Sequence, residues 1–171
     1  KTFGEHTMES VLPTVWLFII GLTLLYYVIT DGFDLGVGIL CLFTKRVEDR
    51  IMMMDTLHYI WHTNQTWLVV LGGLIFGAFP LFYSVLFSAL YIPAVLMLLG
   101  LVFRGVAFEF HVHSRSKRFW ALHFGLGSLL ATLGQGFLLG GLLGGLDVRD
   151  GRFIGGVWDW ISPFSSLVVL G

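Results

Sequence analysis

Two carboxylates stand three residues apart in Asp31-Gly32-Phe33-Asp34-Leu35-Gly36-Val37-Gly38, directly after an uncharged apolar run over residues 11–30. Deep in a membrane each acid costs ~2.5–3.5 kcal/mol unless it faces water, a partner or the bundle interior. Two readings stand: Asp31 and Asp34 mark the edge of a span and touch headgroups or water, or they are buried for a purpose. Arg104 closes another apolar run, in Arg104-Gly105-Val106-Ala107-Phe108-Glu109-Phe110. It either snorkels to the surface or pairs with Glu109, Asp31 or Asp34; a charge cluster joining the two segments is the favoured reading. A third group is His58, Trp61, His62 and Gln65, spaced i, i+3, i+4 and i+7 on one helical face. In lipid such a stripe is expected to point inward and to hold hydrogen bonds or handle protons, since imidazole titrates near neutrality. Metal binding by the two histidines is the weaker reading.

The elements that must position these groups are membrane helices. The 171 residues are 56% hydrophobic and only 12% charged, against about 25% charged in soluble domains, and the mean hydropathy is +0.85. Segment one covers about residues 11–43, with Pro13 in its first turn. Trp16, Tyr26 and Tyr27 read as interfacial anchors or packing residues. Residues 44–55 form a first polar loop. Residues 57–103 then hold no Asp, Glu, Lys or Arg; as one helix they would reach about 70 Å, which is two crossings. The break belongs near Gly77-Ala78-Phe79-Pro80, because proline lacks a donor and disfavours helix before it. Segment two is thus about residues 56–78, and segment three about 81–110 with a kink at Pro93. A basic loop follows over 111–118, segment four over 119–146, and a polar loop over 147–152. Gly136, Gly140 and Gly144, like Gly141 and Gly145, repeat every four residues, a spacing suited to close helix contact. Trp158-Asp159-Trp160 reads as the interfacial start of a fifth segment.

The expected fold is therefore all-α and integral to the membrane: residues 1–10 a tail, the first seven of them a suspected upstream scar; 11–146 a bundle of four transmembrane helices; 147–171 a loop and the start of a fifth helix. The apolar end of the chain suggests a fragment of a longer subunit. Six basic residues (Lys45, Arg46, Arg50, Arg115, Lys117, Arg118) share one side, against Arg149, Arg152 and Lys1 on the other. That bias predicts the first side to be cytoplasmic and the N-terminus outside.

Other candidates have ordinary readings. His111, His113 and His123 fit a solvated basic stretch better than a metal tract. Gln135 is a lone amide suited to a helix–helix hydrogen bond. Asn64 opens a glycosylation sequon that has no meaning inside a membrane. Cys41 is the sole cysteine and reads as an apolar packing residue. The net charge of −1 offers nothing to nucleic acid. No nucleotide loop, zinc spacing or nucleophile triad is present. The residues alone describe a polytopic helical protein with acids, imidazoles and an arginine in its bundle, which fits a proton path, a transporter or a cofactor-bearing oxidase subunit.

Asp31-Gly32-Phe33-Asp34-Leu35-Gly36-Val37-Gly38-Ile39-Leu40 closely resembles the opening motif of subunit II of cytochrome bd-type quinol oxidases. So do Trp61-His62-Thr63-Asn64-Gln65-Thr66-Trp67-Leu68-Val69, Gly72-Gly73 with Phe76-Gly77-Ala78-Phe79-Pro80, and the Arg104–Phe110 motif, in that order over about residues 11–110. The resemblance implies the N-terminal half of an eight-helix subunit, built as two four-helix bundles, in the bacterial inner membrane. It implies a complex that oxidises quinol and reduces dioxygen to water with cytoplasmic protons. Haem b and haem d would belong to subunit I, and a small single-helix accessory subunit is a further expected partner. This chain alone would not be catalytic. Asp31 matches the family's acid on the proton path, and Asp34 its neighbour with a cation or structural role. His62 stands where members commonly have an aspartate on that path, so the fixed negative charge is lost there. Trp61 matches an aromatic that contacts bound quinone in some members. Asp34, Arg104, Glu109, His58 and Gln65 are expected to form a supporting polar or charge cluster. Two alternatives remain: a proton-coupled transporter, and a purely structural assembly subunit in which Asp31 and Asp34 only bridge to Arg104.

Overall fold

The computed structural model describes residues 3–156 and 158–161, with side chains from residue 11 onward. It is helical nearly throughout: α1 Phe3–Phe43, α2 Val47–Leu57, α3 Trp61–Ala78, α4 Pro80–Ala89, α5 Tyr91–His113 and α6 Lys117–Gly144. Three helices among the described residues are long and apolar enough to cross a membrane: Val11–Phe43, Tyr91–His113 and Lys117–Gly144.

Several boundaries differ from those read in the sequence. Helix α1 starts before residue 11, so Pro13 lies inside it and not in a first turn. The first polar loop is mostly helix α2. Glu48 and Asp49 sit in its first turn, where acids complement the helix dipole. Met54 and Leu57 anchor its inner face in the core. The chain then turns over His58–Ile60 before α3 begins at Trp61. The break at Phe79 falls where Pro80 demands it, and Pro80 opens α4 at a position where its missing N–H is harmless. Segment three is two helices, because the chain breaks at Leu90 (φ −115°, ψ 29°) and Pro93 falls in the first turn of α5. The expected kink is a full break.

Packing follows narrow stripes. On α1 the buried residues Thr23, Tyr27, Asp31, Asp34, Leu35, Gly38 and Cys41 recur at helical spacing, while most of the helix is exposed. On α5 the buried stripe is Pro93, Ala94, Met97, Gly100, Arg104, Ala107, Phe108 and His111. Helices α5 and α6 approach so closely that a Cβ on Gly127 would meet Gly100 O at 2.8 Å and Arg104 N at 2.9 Å. One on Gly134 would meet Met97 Cα at 2.7 Å. The backbone seam uses Gly127, Ala131 and Gly134; of the later glycine repeat, Gly140 and Gly141 are buried, Gly141 tight against Leu90, whereas Gly144 and Gly145 are exposed. Against α1, Gly38 makes room for Ser128 of α6. Where α1, α2, α3, α5 and α6 meet, Cys41, Met54, Leu57, Trp61, Ala107, Phe108, Ala121 and Phe124 form the main core.

Beyond α6, the polar stretch folds as a hairpin, β1 Val148–Arg149 and β2 Arg152–Phe153. Its two-residue turn, Asp150-Gly151, takes φ of 50° and 71°, the left-handed pair that suits a tight hairpin. Trp160 packs on Phe137 of α6. The expected fifth segment lies mostly outside the described residues.

Candidate functional site

Asp31, Asp34 and Arg104 meet inside the protein, each fully shielded from solvent. Asp31 and Asp34 share the buried stripe of α1; Arg104 comes from α5, its backbone close against Gly127 of α6. Arg104 Nη1 donates to Asp31 Oδ1 at 3.0 Å. Its Nη2 lies 4.0 Å from Asp34 Oδ2. Tyr27 OH, one turn before Asp31, donates to Asp31 Oδ2 at 2.9 Å, and Gln135 Nε2 of α6 donates to Tyr27 OH at 2.6 Å. Asn64 of α3 donates through Nδ2 to Asp34 Oδ2 at 2.9 Å. Four helices thus supply one polar knot in an apolar surrounding, where a lone charge would be untenable.

The remaining sequence candidates lie elsewhere. Trp61 is 6% exposed and stacks on Phe108 and on His62, with ring centroids at 5.1 and 3.7 Å. Its indole touches the space beside Gly105, where an added Cβ would meet the ring at 3.3 Å. His62 is exposed, not turned into the bundle, and its Nε2 stands 3.8 Å from Glu109 Oε1, itself exposed. Glu109 therefore does not join Arg104. His58 caps α2 and is not on the α3 face with Trp61 and Gln65; the turn at Ile60 breaks the expected four-residue stripe. Its ring lies against Phe108 and His111. Gln65 is half-buried, with Nε2 free of partners among the described residues.

Sequence reasoning passed over three residues. Tyr27 reads in the sequence as an anchor or packing residue, yet its spacing of four from Asp31 is a signal that the two meet on one helix face. Asn64 looked like an irrelevant sequon. The basic stretch suggests a solvated loop at His111, but α5 runs through it and buries it. Its Nδ1 donates to Phe108 O at 2.7 Å and its Nε2 meets Asp55 Oδ1 of α2 at 2.9 Å. Lys117 Nζ caps the same helix end through His111 O at 2.7 Å. Among the described residues no group of three or more His, Cys, Asp or Glu is placed to hold a metal ion.

Residues 12–171 match the family model for cytochrome bd terminal oxidase subunit II. The chain belongs to this family. It is 32% identical to cytochrome bd-I ubiquinol oxidase subunit 2 of Escherichia coli (strain K12), over 92% of this chain and 44% of that protein. It is 33% identical to cytochrome bd ubiquinol oxidase subunit 2 of Bacillus subtilis (strain 168), over 91% and 48%. A probable cytochrome oxidase subunit 2 of Haemophilus influenzae is 32% identical over 90% and 43%. The chain spans less than half the length of these curated relatives. For a subunit II chain, the buried knot between α1, α3, α5 and α6 is the part with chemistry to offer.

Proposed function

We propose that this chain contributes the first helix bundle of subunit II in a quinol:oxygen oxidoreductase of the bacterial inner membrane. In this reading α3 makes a fourth crossing, the whole subunit has eight helices, and the N-terminus lies outside. A partner subunit I carries haem b and haem d, where quinol electrons reduce dioxygen to water. In this reading the chain's own residues hold no haem. They support subunit I and line the route by which cytoplasmic protons approach the oxygen site. A small single-helix subunit completes the assembly.

The observation that carries the reading is the fully buried Asp31–Arg104–Asp34 cluster in a chain of this family. Intramembrane acids with a named partner mark ion and proton routes. The exposed His62–Glu109 pair serves as the water-facing station of that route. Asn64 links α3 to the buried acids. Trp61 has little surface left for quinone, and we assign it to packing beside the route.

In the assembled oxidase, Asp31→Asn and Asp34→Asn are expected to slow oxygen consumption roughly tenfold or more, while quinol still reduces the haems. Wild-type turnover in both variants would sink the proton-path role. A structural reading is favoured by one observation: both Asp31 oxygens are already held. It predicts loss of assembled complex with normal specific turnover in what remains.

A further inference from the structure

The knot is not symmetric in its two acids, and the asymmetry has a consequence. Two carboxylates and one guanidinium leave one negative charge uncompensated in a fully buried site. Burying an unpaired charge is costly, and such a site takes up a proton instead. Hydrogen-bond direction decides where that proton resides. Both oxygens of Asp31 accept: Oδ1 from Arg104 and Oδ2 from Tyr27, whose hydroxyl is itself oriented by the amide of Gln135. Protonating Asp31 would break one of these bonds and leave a buried donor unpaired. Asp34 differs. Its Oδ2 accepts from Asn64, and its Oδ1 is buried with no hydrogen-bond partner among the described residues. The groups facing Asp34 are Asn64 from α3, Arg104 from α5 and Asp31 from its own helix. None of them donates to Oδ1.

We propose that Asp34 Oδ1 is where the mobile proton of the subunit resides, and that Asp31 is a fixed carboxylate held by Arg104 and by a Gln135–Tyr27 donor chain. Tyr27 and Gln135 are then positioning residues: they keep Asp31 anionic and so direct the proton to its neighbour. The inference rests on the proton-path reading above, and reverses the order of roles that the family resemblance suggests for the two acids.

The test uses the complete oxidase with full-length subunit II. Infrared difference spectra between oxidised and quinol-reduced enzyme report protonated carboxyls through their C=O stretch. A carboxyl band is expected in the wild type, absent in Asp34→Asn and retained in Asp31→Asn. If the amide variants fail to assemble, Asp34→Glu is expected to shift the band and Asp31→Glu to leave it in place. Tyr27→Phe frees Asp31 Oδ2, so the proton is shared between the acids and the band splits or broadens; Asp34→Asn placed on that background leaves the Asp31 component alone. A band that survives Asp34→Asn and disappears in Asp31→Asn overturns the inference and leaves the path reading standing. A band that disappears in Asp34→Asn with wild-type oxygen consumption overturns the path reading and leaves the location of the proton standing.

Discussion

Three acid–base pairs lie along α5, and they differ mainly in their burial. Arg104 meets Asp31 at 3.0 Å with both side chains at 0% exposure. His111 meets Asp55 at 2.9 Å with exposures of 2% and 61%. His62 meets Glu109 at 3.8 Å with exposures of 72% and 60%. Judged by distance, the first two are equivalent. Judged by burial, they belong to different regimes. A buried pair is weak evidence of net stabilisation, but removing one partner strands the other in a low-dielectric site. An exposed pair exchanges one set of favourable contacts for another and is worth little. The inner pair therefore constrains what the subunit can be, whereas the outer pairs tune it.

The largest expected effect tests the inner pair. Arg104→Met keeps much of the side chain's bulk and leaves Asp31 and Asp34 buried without a cation. The cost expected for breaking such a pair is about 3–5 kcal/mol, read as a lower thermal transition or a lower yield of the assembled oxidase. The double variant Arg104→Met with Asp31→Asn removes the stranded charge and is expected to recover a good part of the loss. A single variant as stable as the wild type would erase the distinction between the regions.

The sequence made the inner region legible only in part, for physical reasons. Charges in long apolar runs are conspicuous, so Asp31, Asp34 and Arg104 stood out without any structure. Tyr27 and Asn64 did not, because uncharged polar residues in a membrane helix are common; Gln135 did, as a lone amide suited to a helix–helix hydrogen bond, and it makes one to Tyr27. The helical character was plain in the composition. Breaks were legible where proline demanded them, as at Pro80. The turn at His58–Ile60 has no such marker, so the i, i+3, i+4, i+7 spacing of His58, Trp61, His62 and Gln65 runs across a helix boundary. The charges of α2 suggested loop, although Glu48 and Asp49 ahead of an apolar methionine run are also how a helix begins. His111 was misplaced for the same reason: a basic neighbourhood masked the last turn of α5.

The middle effect concerns the half-exposed pair. Asp55→Asn keeps the shape and an acceptor oxygen for His111 but removes the charge. A loss of about 1 kcal/mol or less is expected. The thermal transitions of wild type and variant should differ most at low ionic strength and converge as salt screens the pair. A salt-insensitive loss several times larger would mean that Asp55 behaves as a buried partner, and would move the pair into the same regime as Arg104.

The smallest effect is expected at His62 and Glu109. A double-mutant cycle with His62→Ala and Glu109→Gln should give a coupling of about zero to a few tenths of a kcal/mol. The sign with pH is fixed: attraction exists only while the imidazole carries its proton, so coupling is present at acidic pH and vanishes as pH rises. Turnover separates a static role from a functional one at the same position. His62→Asp introduces the carboxylate that the family resemblance implies for this position and sets it beside Glu109, outside the protein core. If residue 62 hands protons to the interior, the variant should change the dependence of oxygen consumption on pH, because a carboxylate is a weaker base than an imidazole and is negative where the proton-free imidazole is neutral. If turnover follows the wild type across pH, the proton route reaches the buried acids without His62, and the outermost pair is only surface.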